Sequence, residues 1–226
     1  MTHEESQIII IIENMSGKYS PYVIFSDWVK MAAIMIQNAC CIFHDQEWKE
    51  REEQYMNISG KYSKDEMMKF CEMFSLLTIA FEENGINDYL GNVYMMSGAG
   101  SKYTGQFFTP FHVSLLTAKM RLTQINKDWI AQNGKIKMNE PSAGGGGMIL
   151  AAAKVLEEKG INYQKEMDVV AQDLDWNAVY MTYVQMSLIG IRGIVVQGDT
   201  LSSEYSGGKY PKGKILKTPA YMGVLT

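Results

Sequence analysis

The stretch Glu140-Pro-Ser-Ala-Gly-Gly-Gly-Gly-Met148 constrains this chain more than any other. It sets four consecutive glycines between an apolar run, Ile136-Lys-Met138, and an alanine-rich segment that reads as helix from about Met148 to Lys159. Glycine takes backbone conformations closed to other residues and lets the chain approach a ligand closely. A helix opening directly behind such a turn presents free N–H groups. A glycine run on its own can be no more than a flexible turn, so its neighbours decide: Gly105-Gln-Phe-Phe-Thr-Pro110 before it, then Gln172-Asp173 and Gly198-Asp-Thr200 after it.

The surrounding chain alternates strand and helix patterns. Strands are expected at about Ile136–Asn139, Met167–Gln172 and Gly193–Gln197, with a fourth at Lys214–Leu216. Asp175 is placed to cap a helix running to Leu188. A helix from Phe111 to about Asn126 precedes the first strand, with Val113, Leu116, Met120 and Ile125 inward. Such alternation predicts a parallel sheet, and strand, glycine turn and helix are how a Rossmann-type sheet begins. A nucleoside lying over such strand ends needs a tight turn at its charged end, an acid for the ribose hydroxyls and a polar contact at the base. Glu140–Gly147 supplies the turn, Asp173 the ribose acid, and Asp199 an acceptor for an adenine amino group. Taken singly, each acid is better explained as a helix cap or a solvated loop residue; all three in order, each at a strand end, shift the balance to a ligand site. The glycines depart from G-x-G-x-x-G, and Pro141 before them argues for a nucleoside other than a dinucleotide.

The first hundred residues have a different texture. Phe25, Trp28, Val29, Ala32, Ile36, Ala39, Cys40 and Phe43 form one helical stripe from Pro21, running into a charged stretch, His44 to Glu53, read as a solvated helix surface with a surface histidine. Ser63 with Glu66 matches a capping box. It opens a helix bearing Met67, Phe70, Cys71, Phe74, Leu77 and Phe81 on one face and ended by Asn84-Gly85. A short helix follows from Asp88 to Met96. Ile8–Ile12 fits either a short buried strand or part of a first helix. The expected organisation is an all-helical N-terminal module, residues 1–100, followed by an α/β domain, residues 101–226.

Composition narrows the function classes. A formal net charge of −4 does not mark the whole chain as a nucleic-acid binder. A local basic cluster, Lys209, Lys212, Lys214 and Lys217 with Glu204 nearby, suits either phosphates or a solvated loop, and implies weak, salt-dependent affinity. Cys40, Cys41 and Cys71 are too few and too badly spaced for zinc and read as buried structural thiols, which fits a reducing, cytoplasmic setting. No apolar run is long enough to span a membrane.

Together the motifs resemble the S-adenosylmethionine-dependent N6-adenine DNA methyltransferases, above all the modification subunits of type I restriction systems. Gly105-Gln-Phe-Phe-Thr-Pro110 is similar to that family's signature before the first strand. Glu140-Pro-Ser-Ala-Gly-Gly-Gly-Gly resembles its D/E-P-A-C-G-S-G-G turn, Ala171-Gln-Asp173 its G-Q-E, and Gly198-Asp-Thr-Leu201 its G-D-T-L. Leu90-Gly-Asn-Val-Tyr94 resembles the approach to its sheet. The resemblance implies a partial Rossmann-like methyltransferase sheet, mostly parallel, behind the helical module. It also implies S-adenosyl-L-methionine as cofactor, bound by Phe108, Thr109, Pro110, Glu140, Pro141, Ser142, Ala143, Gly144, Asp173, Leu174, Asp199 and Thr200.

The family's catalytic N/D-P-P-Y/F corresponds here to Thr218-Pro219-Ala220-Tyr221, so Thr218, Pro219 and Tyr221 are the catalytic candidates at the end of the fourth strand. Asn has become Thr and the second proline Ala, and the sequence ends before the family's remaining strands. Two activities follow: methyl transfer to adenine N6 in DNA, or a catalytically silent regulatory or scaffold role with a partner chain supplying specificity. An RNA or protein methyltransferase is a third. No metal is implied.

Overall fold

Thr2 and Glu5 close a capping box that opens the first helix, α1, His3–Met15. Ile8, Ile11 and Ile12 are buried on one of its faces, which settles the N-terminal isoleucine run as helix rather than strand. In the computed structural model, which describes residues 1–98, 107–201 and 213–224, contacts divide the chain into two units. One is Met1–Gly85 with Tyr89–Phe108; the other is Ile86–Asp88 with Thr109–Thr226.

The first unit is helical. Besides α1 it holds α2 (Pro21–Ala39), α3 (Gln46–Ser59), α4 (Lys64–Asn84) and α5 (Tyr89–Met96). Ser20 caps α2 with proline in its first turn. Ser63 and Glu66 form the expected capping box on α4, and Gly85 ends that helix at φ +74°. Ile8, Ile12, Phe25, Trp28, Met73, Leu77, Tyr89 and Tyr94 lie in the core.

Two expectations are corrected here. The stripe drawn from Pro21 to Phe43 stops at Ala39, and Ile42 and Phe43 are 89% and 81% exposed. The charged stretch is instead a separate helix, α3, because the Asp45 carboxylate accepts the Trp48 N–H at 2.8 Å and restarts the ladder. The three thiols are not buried: Cys40 and Cys41 are half-buried and Cys71 is exposed.

The second unit carries α6 (Phe111–Arg121), α7 (Lys127–Asn133), β1 (Ile136–Glu140), α8 (Gly147–Glu158), α9 (Tyr163–Glu166), β2 (Met167–Asp173), α10 (Trp176–Leu188), β3 (Arg192–Gln197) and β4 (Ile215–Lys217). The sheet runs β1-β2-β3-β4. The first two pairings are parallel and the third antiparallel, so the described sheet is small and mixed, mostly parallel as expected with one antiparallel pair. The carboxyl ends of β1, β2 and β3 fall together, with Glu140 opposite Ala171 and Asp173 opposite Gln197. Asp175 caps α10 as expected, accepting the Asn177 N–H at 3.0 Å.

Helix α6 is turned from the expected orientation. Val113, Leu116 and Met120 are 42%, 61% and 71% exposed. The face that meets α8 carries Ser114 and Ala118, flanked by Phe111, Leu115 and Leu122 against Ala151 and Val155. Small residues at the contact let two helices approach closely, which outweighs burying the larger side chains. Helix α6 also ends at Arg121, and α7 starts anew because Asn126 accepts the Trp129 N–H at 2.8 Å.

Candidate functional site

The glycine turn is built from short backbone ties. Ala143 N–H donates to the Gln172 carbonyl at 2.9 Å, which hooks the turn onto the end of β2. Gly144 and Gly146 take φ of +55° and +94°, the left-handed region that favours glycine. Gly146 N–H returns to the Ala143 carbonyl at 2.8 Å, and α8 starts at the next residue.

The acids at the strand ends converge on this turn. Asp173 Oδ2 accepts the Gly144 N–H at 2.8 Å, and its Oδ1 accepts the Asp175 N–H at 3.0 Å. Gly198 N–H donates to the Asp173 carbonyl at 2.9 Å, so the exit of β3 is fastened to the exit of β2. Asp199 Oδ1 accepts the Leu201 N–H at 2.9 Å, and Thr200 donates its hydroxyl to the Pro141 carbonyl. Leu174 is 67% exposed beside Asp173, and its carbonyl accepts from Gln197 at 2.7 Å. Glu140, Pro141, Ser142, Ala143, Gly144, Asp173, Leu174, Asp199 and Thr200 therefore share one edge of the sheet. Burial pushes the Glu140 carboxyl above its usual range. The Ser142 N–H, 3.4 Å from Glu140 Oε1, opposes that shift, and the negative charge of Asp173 adds to it.

The remaining candidates, Phe108, Thr109 and Pro110, lie in the approach to α6. Pro110 stands at the start of α6, its carbonyl accepting the Val113 and Ser114 N–H groups, with Thr109 just before it. Phe108 belongs to the helical unit, where its ring packs on Tyr94 with centroids 5.1 Å apart. Gly105, Gln106, Glu204, Lys209 and Lys212 lie outside the described residues.

The expected catalytic residues lie apart from the converging acids. Thr218 is fully buried, and its Oγ1 both accepts the Gly193 N–H and donates to the Gly193 carbonyl, each at 3.1 Å. Gly193 sits at the beginning of β3, whereas the converging acids sit at its end. At about 3.3 Å rise per residue, that separates Thr218 from the acids by roughly 13 Å along the strand. Pro219 is buried beside it, and Tyr221 lies under the Arg192 guanidinium at 5.3 Å, at that same far end. The cause is the antiparallel direction of β4, which carries the chain away from the glycine turn.

Sequence reasoning missed the support beneath the turn. Thr182 on α10 donates its hydroxyl to the Gly144 carbonyl at 2.9 Å. Gln185, one turn further, donates from Nε2 to the Gly145 carbonyl at 2.7 Å and to Asp88 Oδ1 at 2.8 Å. Asp88 is only 3% exposed. The available signal was Thr182 and Gln185, polar residues at i and i+3 on a largely apolar helix.

A protein-family model described as N-6 DNA Methylase matches residues 86–222, more than half of the sequence. The chain belongs to the N-6 DNA methylase family. The match begins at Ile86, the residue at which the sheet-bearing unit of this methylase-family chain also begins. It takes in the glycine turn, all three acid-bearing strand ends and the displaced Thr218–Tyr221 corner. Members of the family generally use S-adenosylmethionine. A comparison with curated proteins gives no match. Among the described residues no helix is long and apolar enough to cross a membrane, and no group of side chains is arranged to hold a metal ion.

Proposed function

We propose that this chain binds S-adenosylmethionine at the carboxyl edge of β1, β2 and β3, through a Rossmann-like methyltransferase sheet. The observation that carries the reading is the Gly144–Asp173 hydrogen bond, which sets the acid of one strand end directly on the turn of the next. The donor set suits the ligand. Asp173 and Asp199 offer carboxylate oxygens to ribose hydroxyls and an adenine amino group, and each oxygen keeps a lone pair beyond its present contact. Glu140 offers an acceptor to the ammonium of the methionine part. Glu140 through Gly144 form the wall, with Leu174 and Thr200 at the rim and Thr109 and Pro110 ahead of α6. When bound, the cofactor supplies an electrophilic methyl group; the protein residues orient it and exclude water.

The substrate of that methyl group is DNA adenine N6 by family, with phosphates meeting the sheet-bearing unit, where bases outnumber acids; in the helical unit the balance is reversed. A second reading is favoured by one observation. Thr218, Pro219 and Tyr221 lie at the opposite sheet end from the acids, which supports a cofactor-binding subunit that depends on a partner chain for catalysis and specificity. Calorimetric titration with S-adenosylmethionine tests binding, with saturable uptake expected in wild type and a loss of at least tenfold in Asp173→Ala. An adenine-methylation assay on mixed-sequence DNA separates the two readings. Turnover by the chain alone favours the enzyme; silence with intact cofactor binding favours the subunit.

A further inference from the structure

We propose that Asp88, Gln185 and Thr182 form a buried brace that positions the glycine turn for its ligand, with Asp88 and Gln185 as positioning residues of the site. The inference rests on the cofactor-binding reading above.

An amide nitrogen has two hydrogens, and both of those on Gln185 Nε2 are used, one on Gly145 O and one on Asp88 Oδ1. Gln185 and Thr182 are fully buried, so neither bond competes with water. Thr182 holds the neighbouring carbonyl, Gly144 O. Helix α10 thus grips two successive carbonyls of the turn. In a trans peptide the carbonyl and the following N–H point in opposite directions, and no peptide in the described chain is cis. Holding Gly144 O toward Thr182 therefore aims the Gly145 N–H away from α10. The brace decides which backbone donors a ligand meets.

The same contacts explain why the turn needs a run of glycines. A Cβ on Gly145 would lie 3.1 and 3.2 Å from the two Asp88 carboxylate oxygens, and one on Gly147 would lie 3.0 Å from Asp88 Oδ2. A Cβ on Gly146 would lie 3.2 Å from Thr182 Oγ1. The turn presses on the brace at three consecutive positions. Asp88 itself is fixed locally, its N–H bonded to Asn87 Oδ1 at 2.8 Å, and Lys154 on α8 donates to the Ile86 carbonyl at 3.3 Å. Residues 86–88 are thereby held to the sheet-bearing unit far from it in sequence.

The test uses the full chain and the variants Gln185→Leu, Thr182→Val, Asp88→Ala and Asp88→Asn. S-adenosylmethionine affinity is measured by calorimetry, and amide hydrogen exchange is followed in peptides spanning 143–148 and, as a control, in α4. Gln185→Leu and Asp88→Ala are expected to weaken binding at least tenfold and to speed exchange in 143–148 at least tenfold, with α4 unchanged. Asp88→Asn, which keeps an oxygen for Gln185, is expected to restore both. Thr182→Val removes one hydroxyl without changing side-chain shape, and is expected to give an intermediate loss even if the other variants do not fold. Wild-type affinity and exchange in Thr182→Val and Gln185→Leu, or failure of Asp88→Asn to rescue Asp88→Ala, would overturn the brace. If wild type takes up no S-adenosylmethionine, the cofactor reading fails, and the exchange comparison still decides the brace.

Discussion

The Gly144 N–H points into the Asp173 carboxylate at 2.8 Å, across 29 residues of sequence. This bond makes Asp173 a structural element of the turn as well as a candidate ligand for ribose. Asp173→Asn keeps the shape and one acceptor oxygen, whereas Asp173→Ala removes both. Hydrogen bonds to a charged group contribute about 1.5–3 kcal/mol. Asp173→Ala is therefore expected to lower cofactor affinity by at least tenfold and to lower the melting temperature, with Asp173→Asn in between. Calorimetry and thermal melts check both. Wild-type values for Asp173→Ala would remove Asp173 from the site.

The Glu140 carboxyl predicts a pH signature. Its folded-state pKa is raised, chiefly by burial, so the protonated form favours the fold. The associated stability is fully present below the ordinary glutamate value and is lost as pH rises through the raised one. Glu140→Gln is expected to flatten the melting temperature against pH on the acid side and to be relatively more stable at neutral pH. For binding the direction is reversed, because the ionised carboxylate is the form that attracts an ammonium. Wild-type affinity should fall as pH is lowered through the raised value, and the Gln variant should bind more weakly at neutral pH with no such fall. Parallel pH profiles for the two proteins would refute the assignment.

What the sequence disclosed follows from how local each signal is. The Ser63–Glu66 capping box, the glycine turn and the three acid-bearing strand ends are written in adjacent residues, and the fold honours them. Strand direction is not local. Nothing in Lys214–Leu216 states whether that strand enters the sheet parallel or antiparallel, yet this alone moves Thr218 from one sheet end to the other. Helix α6 failed for a related reason: Val113, Leu116 and Met120 have the right spacing, but Ala118 and Ser114, one face over, fit more closely against α8. The brace was missed because Asp88 and Gln185 are 97 residues apart, and the Thr182–Gln185 spacing on α10 does not by itself point to Asp88.

The orientation of α6 is itself testable. With Leu116 61% exposed, Leu116→Glu is expected to change stability by no more than about 0.5 kcal/mol. Ala118 is 5% exposed against Ala151 and Val155, so Ala118→Leu should cost about 1–3 kcal/mol through overpacking. Urea denaturation of the two variants measures both. The opposite ranking would mean that α6 buries the face that is here exposed.

The corner at Thr218 gives the sharpest separation of structure from catalysis. Its hydroxyl both accepts and donates a hydrogen bond to Gly193, and it also accepts the Tyr221 N–H at 3.3 Å. Thr218→Val preserves volume and branching but leaves the Gly193 N–H, buried at the start of β3, without its acceptor. An unsatisfied buried polar group costs about 1–3 kcal/mol, so Thr218→Val should lower stability by that order. Tyr221 is 42% exposed and touches Arg192, so Tyr221→Ala should cost less, about 0.5–1 kcal/mol for the lost cation–π contact. Neither change is expected to alter S-adenosylmethionine affinity, because both residues stand roughly 13 Å along β3 from Asp173 and Asp199. Melting curves and calorimetric titration of both variants supply the readouts. A tenfold loss of cofactor affinity in Tyr221→Ala, with stability intact, would place this corner at the site and reverse the direction assigned to β4.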